Sequence, residues 1–155
     1  MTSVKAPPGF GSIEGAGNYF DFGSWANGRL MLLDGEMRGS ARALKAVELR
    51  LDHRRYVNGA QGRWWRNLAI DVSHCDIDKA SATFSQNPVT TPTRVFSASV
   101  ALPTQRGLPA ELPAAWGGPK GRMRYPFRSA FPYDGKRDLC MDADFTGGEF
   151  YNRQP

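Results

Sequence analysis

The sequence predicts an all-β fold, an antiparallel two-sheet β-sandwich of jelly-roll or Greek-key type with long Pro/Gly-rich loops, and three observations predict it. Apolar and polar residues alternate with period two over residues 43–52, 67–73 and 138–145, the mark of strands with one buried and one wet face. Clusters of Gly, Pro, Asn or Ser bound each run, as they do in antiparallel sheets. No window carries a sustained helical stripe with caps. A chain of 155 residues fits one domain, and a domain of that size buries roughly two thirds of its unfolded surface, so a core forms without metal or disulfide staples.

Residues 1–28 hold Gly9, Gly11, Gly15, Gly17, Gly23 and Gly28 among Phe10, Tyr19, Phe20, Phe22 and Trp25. No phosphate-loop spacing follows a strand there, so this segment is expected to be an arm packed on the domain formed by residues 29–155. Residues 29–37 predict a strand broken at Asp34-Gly35, a tight-turn dipeptide. The clearest strand spans residues 44–53, with Val47, Leu49 and Leu51 on one face and Glu48, Arg50 and Asp52 on the other. Asn58-Gly59 then marks a protruding hairpin or long loop between two basic-aromatic arms. Residues 66–74 return to strand and bury Leu68, Ile70 and Val72. Asn87-Pro88 and Thr91-Pro92 make residues 75–92 mostly loop around a short segment at 82–84. The next strand, residues 94–102, turns Phe96, Ala98, Val100 and Leu102 inward and ends at Pro103. Four prolines and four glycines in residues 103–121 predict a long connection of the kind that crosses a Greek-key sandwich. Residues 123–127 and 138–145 are the last strands, joined through Phe131-Pro132-Tyr133-Asp134-Gly135.

Net charge is +5 with a pI near 9.5, which favours an acidic partner such as a polysaccharide, a cell surface or nucleic acid, or else marks a solvated basic surface. No apolar run approaches a membrane span, and the N-terminus has no signal-peptide core. Cys75 and Cys140 are the two cysteines. Both fall on the polar phase of their runs, so neither reads as a core thiol, and one disulfide or two free thiols are both open.

Enzyme chemistry finds little support. The two histidines, His53 and His74, lie in different runs and lack ligand spacing, and the Ser nucleophile elbow is absent. Asp71, Asp76 and Asp78 follow one strand, and Asp142 and Asp144 share a face of another. Antiparallel pairing would bring the groups together, which admits calcium held by oxygen ligands or a glycosidase pair, against the plainer reading of a solvated, edge-blunting face. Arg54, Arg55 and Tyr56, with Arg63, Trp64, Trp65 and Arg66, interleave cations and aromatics. Sugar platforms and single-strand nucleic-acid grooves both do this. In a strand Trp64 and Trp65 face opposite ways, so one of them is expected in the core.

A resemblance runs along almost the whole chain. It is carried by Pro8-Gly9-Phe10, Glu14-Gly15, Phe22-Gly23, Arg29, residues 47–52, 68–73 and 82–87, Val95-Phe96, Leu102-Pro103 and residues 131–135. In these strand and turn signatures the chain resembles a group of uncharacterised secreted β-sandwich proteins of environmental bacteria that often carry C-terminal sorting tags. The resemblance implies an extracellular or surface-associated, non-catalytic sandwich, and it transfers no functional residues. Members of that group usually continue beyond the segment matching residues 139–148, whereas this chain stops at Pro155. That predicts an open sheet edge, and with it self-association or a strand-donating partner.

The leading expectation is thus a structural or binding module whose recognition lies in loops 53–66 and 103–121. The alternatives are a carbohydrate-binding module using Trp64 or Trp65, Tyr56 and Trp116, with or without calcium, and a single-stranded nucleic-acid binder working through Arg54, Arg55, Arg63 and Arg66.

Overall fold

The structure, a computed structural model, describes residues 26–50, 63–101 and 122–150. Six strands carry most of them: β1 (Gly28–Asp34), β2 (Arg42–Arg50), β3 (Arg63–Cys75), β4 (Thr93–Ala101), β5 (Arg122–Tyr133) and β6 (Asp138–Phe150). All pairings are antiparallel, in a four-stranded sheet of order β1-β6-β3-β4 and a two-stranded sheet β2-β5. The description as all-β therefore holds. Two short 3-10 turns, Ile77–Lys79 and Phe84–Gln86, interrupt the connection after β3. Residues 1–25 of the expected arm over residues 1–28, and the expected connection over residues 103–121, lie outside the described residues, and Gly28 opens β1.

The longest ladder joins β3 to β6 in one register, from Arg63↔Phe150 to Cys75↔Asp138. β6 also pairs with β1 along its other side, from Gly28↔Phe145 to Asp34↔Leu139. The last described strand is therefore central in the large sheet. Among the described residues, the outer strands of the large sheet are β1 and β4.

One hydrophobic cluster draws on both sheets. β3 gives Trp65, Leu68, Ile70 and Val72, β6 gives Met141, Ala143 and Phe145, and β5 gives Tyr125, Phe131 and Tyr133. Rings meet across it: Phe96 lies edge-on to Tyr125 at 5.3 Å, and His74 lies against Phe131 at 5.2 Å. Burying each large apolar side chain is worth about 1.5–3 kcal/mol, so this cluster is the main source of stability.

Two bulges change the period-two phase that the sequence predicts. Ile70 pairs with Phe96 but Asp71 pairs with Arg94, so Val95 has no partner on β3 and turns inward beside Phe96. Val95 is fully buried, Phe96 packs on the core from a half-buried position, and Ala98, expected inward, is exposed. The second bulge sets Arg66 and Asn67 of β3 against Ser99 alone. It lets Trp65 and Leu68, three residues apart, join the same core cluster.

The polar phase of the large sheet is wet at one end and covered at the other. Residues 76–90 fold back over it and along the end of β3. Pro88 bridges to Cys75, the Val89 N–H donates to the His74 carbonyl (2.9 Å), and Asn87 Nδ2 donates to Met31 Sδ (3.2 Å). The Arg29 guanidinium sits over the Phe84 ring at 5.3 Å. Cys75 and Cys140 are consequently buried free thiols, a correction of the expectation that neither is a core thiol. Alternation alone could not predict it, because the cover comes from a loop distant in sequence. Burial pushes the Cys75 thiol up to about 12 and raises that of Cys140, which leaves almost no reactive thiolate at neutral pH. A thiol reagent is expected to leave the native protein unmodified and to label both cysteines in denaturant. Rapid labelling of the native state would contradict this cover.

Candidate functional site

At the end of the long ladder, β3 opens on Arg63-Trp64-Trp65-Arg66, and the two indoles part. Trp65 is fully buried, its ring 4.8 Å from that of Phe145. It sits over Gly148, where a Cβ would stand 2.6 Å from the indole Cδ1. Trp64 is half-buried, paired with Ala101 on β4 and Glu149 on β6. Arg66 lies along Gly147, whose φ of +66° suits glycine, and reaches Glu149 at 3.2 Å with most of its side chain in solvent. An accessible indole, a cation and a carboxylate thus stand together, held on two paired strands. An exposed ion pair of this kind is worth about 0–1 kcal/mol, so its partners can be taken over by a ligand.

Of the other residues expected to bind ligand, Trp65 is corrected to core. Arg54, Arg55, Tyr56 and Trp116 lie outside the described residues, and Arg63 is the first residue of β3. Glu149 was missed by sequence reading, since it lies beyond the last alternating run and gains meaning only from its pairing with Trp64.

The aspartates divide into two groups. Asp71 and Asp142 are directly opposite on β3 and β6, as antiparallel pairing predicted, and Asp144 is the next outward residue along β6. Each carboxylate of the pair is held by an arginine from an outer strand. Arg94 grips Asp71 with two N–H groups (2.6 and 2.9 Å), and Arg29 grips Asp142. Asp76 caps the first 3-10 turn and pairs with Lys79 at 2.8 Å, beside exposed Asp78. Among the described residues no three His, Cys, Asp or Glu side chains are grouped to hold a metal ion. A calcium ion at these positions would compete with cations of the chain itself.

Two further polar groups are buried and engaged in the fold. Asp138 is almost wholly buried, accepts two bonds from Arg38 (2.6 and 2.8 Å) and one from the Ile77 N–H (2.9 Å). The Arg38 guanidinium holds its carboxyl below the usual range, against burial. His74 stacks on Tyr133 (5.7 Å), and its Nε2 accepts the Asp134 N–H at 3.2 Å. An accepting Nε2 carries no proton, so the neutral ring has it on Nδ1, 3.5 Å from Thr90 Oγ1.

Burial lowers the His74 pKa from 6.5, Asp134 opposes that shift, and Arg137 adds to it. The unfolded chain therefore takes up a proton that the folded chain refuses, and stability falls as pH drops below about 6.5. The loss is complete once the pH is below the folded value. We expect the melting temperature to fall between neutral and mildly acid pH. His74→Gln is expected to melt lower throughout but to lose that slope, and an unchanged slope would contradict the assignment.

Among the described residues no helix is long and apolar enough to cross a membrane. No protein-family model matches the chain, and no curated protein or solved structure matches it either.

Proposed function

We propose that the chain is a non-catalytic binding module, a β-sandwich that takes an acidic carbohydrate at the Trp64–Arg66–Glu149 end of its long strand pair. The observation that carries this reading is the half-buried Trp64 with Arg66 and Glu149 beside it and Trp65 anchored beneath the same strand end. An indole face offers a flat apolar surface to the C–H face of a pyranose ring. Arg66 supplies planar donors for a carboxylate or sulfate, and Glu149 accepts from sugar hydroxyls. The net charge of +5 draws an acidic polymer toward the protein.

The sandwich itself is supported by the single core drawn from both sheets. Among the described residues, a non-catalytic reading is supported by the engagement of His74, which accepts a backbone N–H, and by the burial of both thiols. A place outside the cell rests on the resemblance to secreted sandwich proteins. Titration with acidic and neutral oligosaccharides, followed by tryptophan fluorescence, tests the reading. A saturable response confined to acidic sugars is expected, and no response to any sugar ends it. A steep salt dependence of binding to single-stranded nucleic acid, with no sugar response, would move the same site to the nucleic-acid reading.

A further inference from the structure

We propose that the protein forms a two-fold homodimer by antiparallel pairing of β1 with β1 of a second copy, giving one continuous eight-stranded sheet. The proposal is independent of what binds at Trp64. It starts from the sheet edges. Every second residue of an outer strand points its N–H and C=O groups away from its one partner, and natural edges carry Lys, Pro or other charge to keep further strands off.

Three of the four outer strands are protected in this way. β2 carries exposed Lys45, and β5 carries Pro126 and Pro132. The outer side of β4 is met by β5, where Arg128 donates to the Ser97 carbonyl at 2.7 Å. Among the described residues, β1 has no such protection beyond its two charges, Arg29 and Asp34. Its sequence, Gly28-Arg29-Leu30-Met31-Leu32-Leu33-Asp34, contains no Lys or Pro, and no described strand pairs with its outer side.

Its two charges are also engaged within the protomer. Arg29 is bound to Asp142 of β6, and the Asp34 carboxylate accepts the Glu36 and Met37 N–H groups at 2.8 and 3.0 Å. Neither is left to repel a second strand. Leu32 is 42% exposed although its register puts it on the face that carries the core.

The occupant is a second copy because β1 is self-complementary about Met31. With a two-fold axis there, Leu30 lies opposite the partner's Leu32, Arg29 opposite the partner's Leu33, and Gly28 opposite the partner's Asp34. This register keeps the apolar faces of both copies on one side, so the leucines form a continuous row. A slip of one residue would put each apolar row beside the other copy's polar phase.

Sedimentation of the intact protein over a wide concentration range tests the pairing. Wild type is expected to move from monomer to dimer. Leu32→Lys is expected to weaken the dimer by about tenfold or more with the melting temperature of the monomer kept, because Leu32 is already half in solvent. Met31→Cys gives a second reading. Opposite residues in an antiparallel pair lie about 4.5–5.5 Å apart at Cα, within disulfide reach. In a glutathione redox buffer this variant is expected to form a covalent dimer. A wild type that stays monomeric at every concentration, a Leu32→Lys protein that dimerises like wild type, or a Met31→Cys protein that forms no covalent dimer would each overturn the proposal.

Discussion

Trp65→Ala is expected to cost about 3–5 kcal/mol of stability, while Trp64→Ala costs no more than about 1 kcal/mol. The two residues are adjacent and chemically identical, so only their surroundings separate them. Trp65 is fully buried and packs on Phe145 at 4.8 Å. Gly148 brings the β6 backbone so close that a Cβ there would stand 2.6 Å from the indole. Removing the ring leaves a cavity that this backbone cannot close without breaking the ladder. Trp64 is half-buried, faces Ala101 and Glu149, and leaves water behind when it is removed. Urea unfolding of the two variants measures the difference directly. Similar losses for both would mean that the strand phase at this end is wrong.

Gly135→Ala is expected to cost about 3 kcal/mol or more, because a strained backbone region and a collision act together. Gly135 has φ +74°, and a Cβ there would stand 2.5 Å from the Gly39 carbonyl oxygen and 2.7 Å from the Ala41 nitrogen. These are backbone atoms, which cannot swing aside as a flexible side chain does. The closeness is built in on both sides. Gly39 donates its N–H to the Gly135 carbonyl at 2.7 Å, and the Asp134 carboxylate accepts the Lys136 and Arg137 N–H groups at 2.9 and 3.0 Å. The turn between β5 and β6 is thereby locked against the connection between β1 and β2. Lys136→Ala, at the exposed neighbour, is expected to be nearly neutral. A Gly135→Ala protein as stable as Lys136→Ala would contradict this contact.

The strands were legible because alternation is a local signal. Leu68, Ile70 and Val72 are buried as their phase predicts, and the division of Trp64 from Trp65 follows from the pleat. The turn at Asp34-Gly35 ends β1 where the dipeptide placed it. What alternation could not carry was everything set by partners distant in sequence. The bulge at Val95 exists only relative to β3, and it moved a neighbour of Phe96 into the core. Burial of Cys75 and Cys140 depends on residues 76–90 folding over the sheet, which no window of the sequence contains.

Pairing order was equally hidden. It makes β6 central, puts Glu149 beside Trp64 and sets Asp71 opposite Asp142, each with its own arginine. Three of the five carboxylates that alternation offered as cation ligands, Asp71, Asp76 and Asp142, are thus already paired with a cation of the chain. The carboxylate beside the accessible indole was the one that alternation did not offer.

Recognition is proposed at the strand end that carries half-buried Trp64 with Arg66 and Glu149, and not among the buried polar groups. Titrating wild type and Trp64→Ala with the same acidic oligosaccharide, while monitoring binding by calorimetry and stability by thermal melting, tests it most directly. Trp64→Ala is expected to lose the binding heat while melting within a few degrees of wild type, in keeping with a loss of no more than about 1 kcal/mol. A Trp64→Ala protein that binds like wild type would contradict it.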